Sequence, residues 1–146
     1  MFLLDTNVVS ELRRPRRANA NVRTWASSAP AELHALSVVT VLELERGVLL
    51  AERRDPNQGA ILRRWLEHEV LAPLASRILP IDVDIARQCA ALHVPDPKPE
   101  RDALIAATAR VHGLTVVTRN TADFQSMGVA LLNPWLAPSG SAPGRR

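Results

Sequence analysis

Asp5, Glu43, Asp102 and Asp123 are the residues of this chain best placed to do chemistry together. Asp5 closes the apolar run Phe2-Leu3-Leu4, and the other three each fall near the start of a helix-like pattern, two of them shortly after a strand-like run. In open parallel sheets, ligands bind where strands end and helices begin. Four negative groups gathered there repel one another unless a cation joins them. The pattern therefore predicts a metal-dependent enzyme.

The elements that must position these acids are legible from periodicity. Phe2 to Leu4 predicts a short buried strand followed by a helix over 7–12. Helices are expected over 19–29, 40–54, 83–92 and 100–112, the last closed by Gly113, and strands over 33–38, 78–82, 115–118 and, at an edge, 129–132. Ile61, Leu62, Trp65, Leu66 and Val70 recur at three and four residues, which predicts a long amphipathic helix ending before Pro73. The run Pro95-Asp96-Pro97-Lys98-Pro99 interrupts the chain before Asp102, and Asn120 opens a short helical turn. Such alternation means an α/β fold, a short parallel sheet with helices on both faces. One domain is expected over 1–136, with 137–146, rich in Ser, Gly and Pro, as a flexible tail.

Composition limits the function classes. With 146 residues and 47% hydrophobic content, the chain suits one compact core. No apolar run approaches the roughly 20 residues needed to span a bilayer. Met1 leads straight into a strand without a signal-type segment, so no membrane association and a cytoplasmic location are expected. Cys89 is the single cysteine and reads as an inert thiol on a buried helix face. The net charge of +3 is carried almost wholly by arginine, Lys98 being the sole lysine. Arg13-Arg14-Pro15-Arg16-Arg17 could form a basic rim for RNA, or a solvated loop in a chain that favours arginine throughout.

Each acid also has a structural explanation. Thr40 with Glu43 has the spacing of a capping box, Asn120 with Asp123 imitates it, and Asp102 in a first helical turn complements the macrodipole. Asp5 could cap the following helix. These roles are compatible with ligation, since a helix start that orients a carboxylate also presents it to a cation. All the candidates are oxygen donors, while His34, His68, His93 and His112 lack zinc-like spacing, so a hard ion, Mg²⁺ or Mn²⁺, and a phosphodiester substrate are expected.

Leu3-Leu4-Asp5-Thr6-Asn7-Val8-Val9-Ser10-Glu11-Leu12, the stretch from Ser37 to Gly47 with Thr40 and Glu43, Asp102-Ala103-Leu104-Ile105-Ala106-Ala107-Thr108-Ala109, and Thr118-Arg119-Asn120 with Asp123-Phe124 together resemble the PIN-domain ribonucleases, above all toxins of the VapC and FitB type. The motifs follow the family's order from residue 2 to about 136. The resemblance implies a Rossmann-like sheet, a Mg²⁺- or Mn²⁺-dependent endoribonuclease that hydrolyses RNA phosphodiester bonds, a small VapB- or FitA-like antitoxin as partner, and a homodimer. It also implies that Asp5, Glu43, Asp102 and Asp123 are catalytic metal ligands, with Thr6, Asn7, Thr118 and Asn120 as supporting or substrate-positioning groups. A housekeeping PIN nuclease is the nearest rival. A non-catalytic α/β interaction or phosphoacceptor module comes from another class, but Asp5 lacks the acidic neighbour and Lys98 the placement of a phosphoacceptor site. No glycine-rich nucleotide loop occurs among the 6 glycines.

Overall fold

The computed structural model describes residues 1–137, so the tail expected over 137–146 lies almost entirely outside the described residues. The elements run β1 (Phe2–Leu4), α1 (Thr6–Glu11), α2 (Ala20–Ser28), β2 (His34–Ser37), α3 (Val38–Arg54), α4 (Pro56–Trp65), α5 (Ala72–Leu74), β3 (Ile78–Leu79), α6 (Val83–Leu92), α7 (Glu100–His112), β4 (Thr115–Val117), α8 (Thr121–Phe124) and β5 (Ala130–Leu132).

The strands pair in the order β3-β2-β1-β4-β5, every pair parallel. The chain builds outward from β1 through β2 to β3 and then returns to β1's other side with β4. The strand order therefore reverses between β1 and β4, and the crevice above their C-terminal ends is where an open sheet binds ligands. Successive strand residues face opposite sides. Leu3, Ala35 and Val116 join a core with Ile105, Ala106 and Ala109 of α7 and Phe124 of α8. Leu4, Leu36 and Val117 join a second core with Val8 of α1, Leu44 and Val48 of α3, and Leu66 and Val70. Both faces of the sheet are thus covered, which explains strands whose central residues are apolar.

Local chemistry sets the helix boundaries, and in several places it differs from the periodicity reading. Helix α3 starts at Val38 because the Ser37 hydroxyl accepts from Val39 N at 3.0 Å. Thr40 and Glu43 consequently form no capping box; Thr40 lies inside the helix, fully buried, with its hydroxyl unpartnered. Asn120 makes no side-chain cap either, since Asp123 N donates to its backbone carbonyl at 3.0 Å. Asp55 ends α3 and at once caps α4 through Asn57 N and Gln58 N. Gly59 allows α4 to press against the backbone of Glu52 on α3, where any Cβ would collide. The helix expected to end before Pro73 instead widens into a π turn over Leu66–Leu71 and continues as α5, with Pro73 in the first turn, where a backbone N–H is dispensable. Strand β3 is two residues long rather than five. Helix α7 ends as predicted, at Gly113 with φ 68°, a left-handed conformation suited to glycine.

Candidate metal centre

Asp5 follows β1 directly and serves as N-cap of α1, its Oδ1 accepting from Thr6 N at 2.8 Å. Its Oδ2 accepts from the Thr118 hydroxyl at 2.8 Å, so the ends of β1 and β4 are tied together at this carboxylate. Asn7 strengthens the tie, its amide nitrogen lying 3.5 Å from Asp5 Oδ2 and 3.3 Å from Thr118 Oγ1. The capping role and the candidate ligand role are therefore filled by one buried residue. Glu43 reaches the same crevice from the second turn of α3. The Thr6 hydroxyl donates to its Oε1, and Arg101 Nη1 lies 3.3 Å from its Oε2.

Asp102 stands in the first turn of α7, and Asp123 in the first turn of α8. Burial pushes the Asp102 carboxyl from the usual 3.8 up to about 6, and repulsion from Asp5, Asp123 and Glu43 adds to it. Asp5 is raised chiefly by burial, opposed by its hydrogen bonds from Thr118 and Thr6 and assisted by Glu43 and Asp123. Asp5 and Asp102 thus bind protons more tightly than usual, chiefly because they are buried and further because the other acids repel their charge. Such a set suits a hard divalent cation, which favours the charged forms that repulsion opposes.

The crevice has a volume of about 460 Å³, and Asp5, Glu43 and Asp102 line it together with Asn120 and the arginines Arg46 and Arg101. A Cβ on Gly47 would meet nothing within 4 Å, so this glycine leaves open space beside Glu43. Asn120 N donates to Thr118 Oγ1 at 3.0 Å, which folds the chain after β4 back over the crevice. Asp123 is exposed and lies outside the lining, coupled to the others through space. Among the described residues no three of the four acids present oxygens all within 4.8 Å of one another, the separation that Cys89, His93 and Glu100 do reach.

Two features were missed by sequence reasoning. Arg101, adjacent to Asp102, places a cation on Glu43; its position in the first helical turn beside an acid was the only signal. Cys89 does not stand alone: its Sγ lies 3.9 Å from His93 Nε2 and 3.8 Å from Glu100 Oε2. The i, i+4 spacing of Cys89 and His93 on α6 was the available clue. His93 Nδ1, however, accepts from Lys98 N at 3.0 Å, so a neutral ring carries its proton on Nε2 and directs it toward Glu100. The cluster staples the proline-rich loop to α6 and α7.

A parallel sheet with its switch point between β1 and β4, and acids from β1, α3, α7 and α8 gathered above it, defines a PIN-type domain. The PIN domain family matches residues 2–129, and the chain belongs to that family. It is 42% identical to the toxin FitB of Neisseria gonorrhoeae, an alignment covering 92% of this chain and 99% of that protein. It is 39% identical to the VapC ribonuclease Y4jK of Sinorhizobium fredii over 92% of this chain and 98% of the relative. The structure of FitAcB from Neisseria gonorrhoeae superposes with a TM-score of 0.85 at 40% identity, covering 92% of this chain and 99% of the other.

Proposed function

We propose that this chain is a divalent-metal-dependent endoribonuclease and the toxin of a toxin–antitoxin pair. The observation that carries this reading is the meeting of Asp5, Glu43 and Asp102 in one crevice at the switch point of a PIN-type sheet, with Asp123 exposed outside its lining and coupled to Asp5 and Asp102 through space. Those four residues would hold the ion, Mg²⁺ or Mn²⁺, as the all-oxygen donor set favours. When bound, such an ion activates water and offsets charge developing on a phosphoryl group. The protein's part is positioning. Thr6 fixes the Glu43 carboxylate, Thr118 and the amide of Thr6 fix Asp5, Asn7 ties the β4 end to the β1 end, and the Asn120 amide anchors the Thr118 hydroxyl. The substrate class is RNA, as the VapC relative's name indicates for that protein.

The antitoxin would be a small protein that covers the crevice; likeness to a chain of the FitAB structure and to one of a toxin–antitoxin complex from Klebsiella pneumoniae supports such a partner. A groove of about 280 Å³ lined by Ser10, Arg13, Leu44, Val48, Leu62 and Trp65 runs from Glu43 between α1, α3 and α4, and offers an apolar floor with one cation. The chain would act as a homodimer. The apolar stripe of Ile61, Leu62, Trp65 and Leu66 is mostly core, with Leu66 fully buried and only Ile61 well exposed. Leu42, Leu49 and Leu50 on α3 are each more than half exposed on one helical face and supply the better surface. Sedimentation of wild type and Leu49→Asp distinguishes the two surfaces: loss of dimer in the variant is expected.

The test of function is direct. Purified protein should cleave RNA with Mg²⁺ or Mn²⁺ and stop when the ion is chelated. Expression without a partner should arrest growth, and Asp5→Asn should not. Harmless expression of an active nuclease would point instead to a housekeeping enzyme.

A further inference from the structure

We propose that Arg119, held on the face of Trp135, is a clamp for a phosphate of single-stranded RNA beside the acidic crevice, an inference that rests on the ribonuclease reading above. Arg119 leaves the end of β4 and Trp135 follows β5. The parallel register that pairs Val117 with Leu132 brings both to the edge of the sheet where the acids lie. Arg119 is one residue beyond Thr118, whose hydroxyl holds Asp5, and its own amide lies 3.3 Å from Asn7 Oδ1.

This corner is built rather than loose. Thr118 N donates to Leu132 O at 3.0 Å, and Asn133 joins the two segments by donating to Arg119 O at 3.2 Å while accepting from Trp135 N at 2.9 Å. From α2, Asn21 donates to Trp135 O at 2.8 Å, and the indole packs partly buried against the second core. The guanidinium carbon of Arg119 sits 5.2 Å from the centre of that ring. This cation–π contact uses no N–H donor of the guanidinium, which leaves those donors available for the planar, bidentate bonding that phosphate oxygens accept.

The other arginines with resolved side-chain contacts are committed elsewhere. Arg63 pairs with carboxylates, Arg101 pairs with Glu43, and Arg23, Arg77 and Arg110 donate to backbone carbonyls. Among the described residues Arg119 makes no ion pair and no side-chain hydrogen bond, although its neighbour Asn120 already lines the crevice that holds Asp5, Glu43 and Asp102. A flexible arginine at that place would be drawn onto those acids. The indole supplies a competing seat, which keeps the cation free for a ligand. RNA has to approach a crevice of net negative charge, and a fixed cation at its rim lowers that barrier where the strand enters. Among the described residues the arginines of the basic loop from Arg13 to Arg17 have no aromatic seat of this kind.

The experiment measures binding of a labelled single-stranded RNA oligonucleotide by fluorescence anisotropy in an Asp5→Asn background with Mg²⁺, across a salt series. Adding Arg119→Ala should weaken binding about tenfold, as expected for loss of a charge-assisted hydrogen bond. It should also reduce the steepness of log K against log salt by about 0.7, the contribution of one phosphate contact on a single strand. Arg119→Lys should keep that steepness while losing part of the affinity. Trp135→Leu should lower both although no charge is removed, because Arg119 is then released toward the acids. Arg87→Ala on α6 should change nothing, and Mn²⁺ affinity measured calorimetrically on the wild-type background should be the same with and without Arg119→Ala. Unchanged RNA affinity and salt dependence in the Arg119→Ala protein overturns the clamp while wild-type cleavage leaves the ribonuclease reading standing. A defect confined to binding of the small partner protein overturns it too, reassigning the corner to protein recognition. If the wild type neither binds nor cleaves RNA, the parent reading falls and the clamp with it.

Discussion

Helix α3 carries two sets of glutamates, and they are treated in opposite ways. Glu45 and Glu52 turn toward α4, where Arg63 meets Glu45 at 2.7 Å and Glu52 at 3.1 Å, with Glu67 at 3.7 Å. The Arg63 hydrogen bond holds the Glu45 carboxyl below its usual range, and the guanidinium in turn is held charged. Glu43, two residues from Glu45, turns the other way. It shares a crevice with Asp5 and Asp102 and pairs with a single arginine at 3.3 Å, and there burial, assisted by repulsion among the acids, raises Asp5 and Asp102 rather than lowering them. Charges that bind helices together come with their counterions in the chain. Charges left in excess at a sheet's switch point favour the binding of a cation, and the contrast within one helix separates paired structural acids from the candidate metal ligands.

The largest effect expected from breaking this contrast is on activity. Asp5→Asn, Glu43→Gln and Asp102→Asn should each abolish metal-dependent RNA cleavage, a loss beyond the roughly 10–100-fold typical of outer-shell partners. Glu45→Gln and Glu52→Gln should leave cleavage intact. Turnover assays on proteins shown to be folded by circular dichroism check this, and cleavage retained in both aspartate variants would contradict the metal-centre assignment. A smaller loss, about 10–100-fold, is expected for Thr118→Val, which removes a hydroxyl that orients Asp5.

Stability should respond to pH with opposite signs in the two regions. The Asp102 carboxyl is raised from 3.8 to about 6, so in the metal-free protein its ionisation disfavours the fold. That penalty is complete above about pH 6 and vanishes below about pH 4. Wild type should therefore melt below Asp102→Asn at pH 7 in chelator, and the gap should close as pH falls toward 4. The Glu45 carboxyl is lowered from 4.5, so its stabilising pair with Arg63 is fully present above pH 4.5 and fades as pH falls through the depressed value. Arg63→Ala should accordingly melt below wild type at neutral pH, with the difference shrinking in acid. Identical pH trends for the two variants would show that both sets of acids are structural.

The smallest effect concerns Gly47, which sits mid-helix with open space where its side chain would be. Gly47→Ala should raise stability by about 0.5–1 kcal/mol, as alanine does in a helix interior. Denaturant titration measures it. A gain in stability with slower cleavage would mean that the glycine keeps the crevice clear for substrate.

By itself the sequence determined the alternation of short apolar strands with amphipathic helices, the order of the acids, and helices α6 and α7 to the residue, because hydrophobic periodicity and the glycine stop at Gly113 are local properties. It also determined Asp5, since an acid closing a short apolar strand has few other places to be. Other boundaries followed competitions that a one-dimensional pattern does not rank. Ser37 won the cap from Thr40 because it comes first at the end of β2, and the π turn carried the chain past Pro73 because Leu66 and Val70 had to stay in the core. Only the tertiary structure decided which charges are answered and which are not. Arg63 on the glutamates of α3, Arg101 on Glu43, His93 beside Cys89 and Glu100, and Arg119 on Trp135 are pairings made by register and packing. Electrostatic energy depends on distance through space, so charges far apart along the chain become partners only when the sheet brings them together.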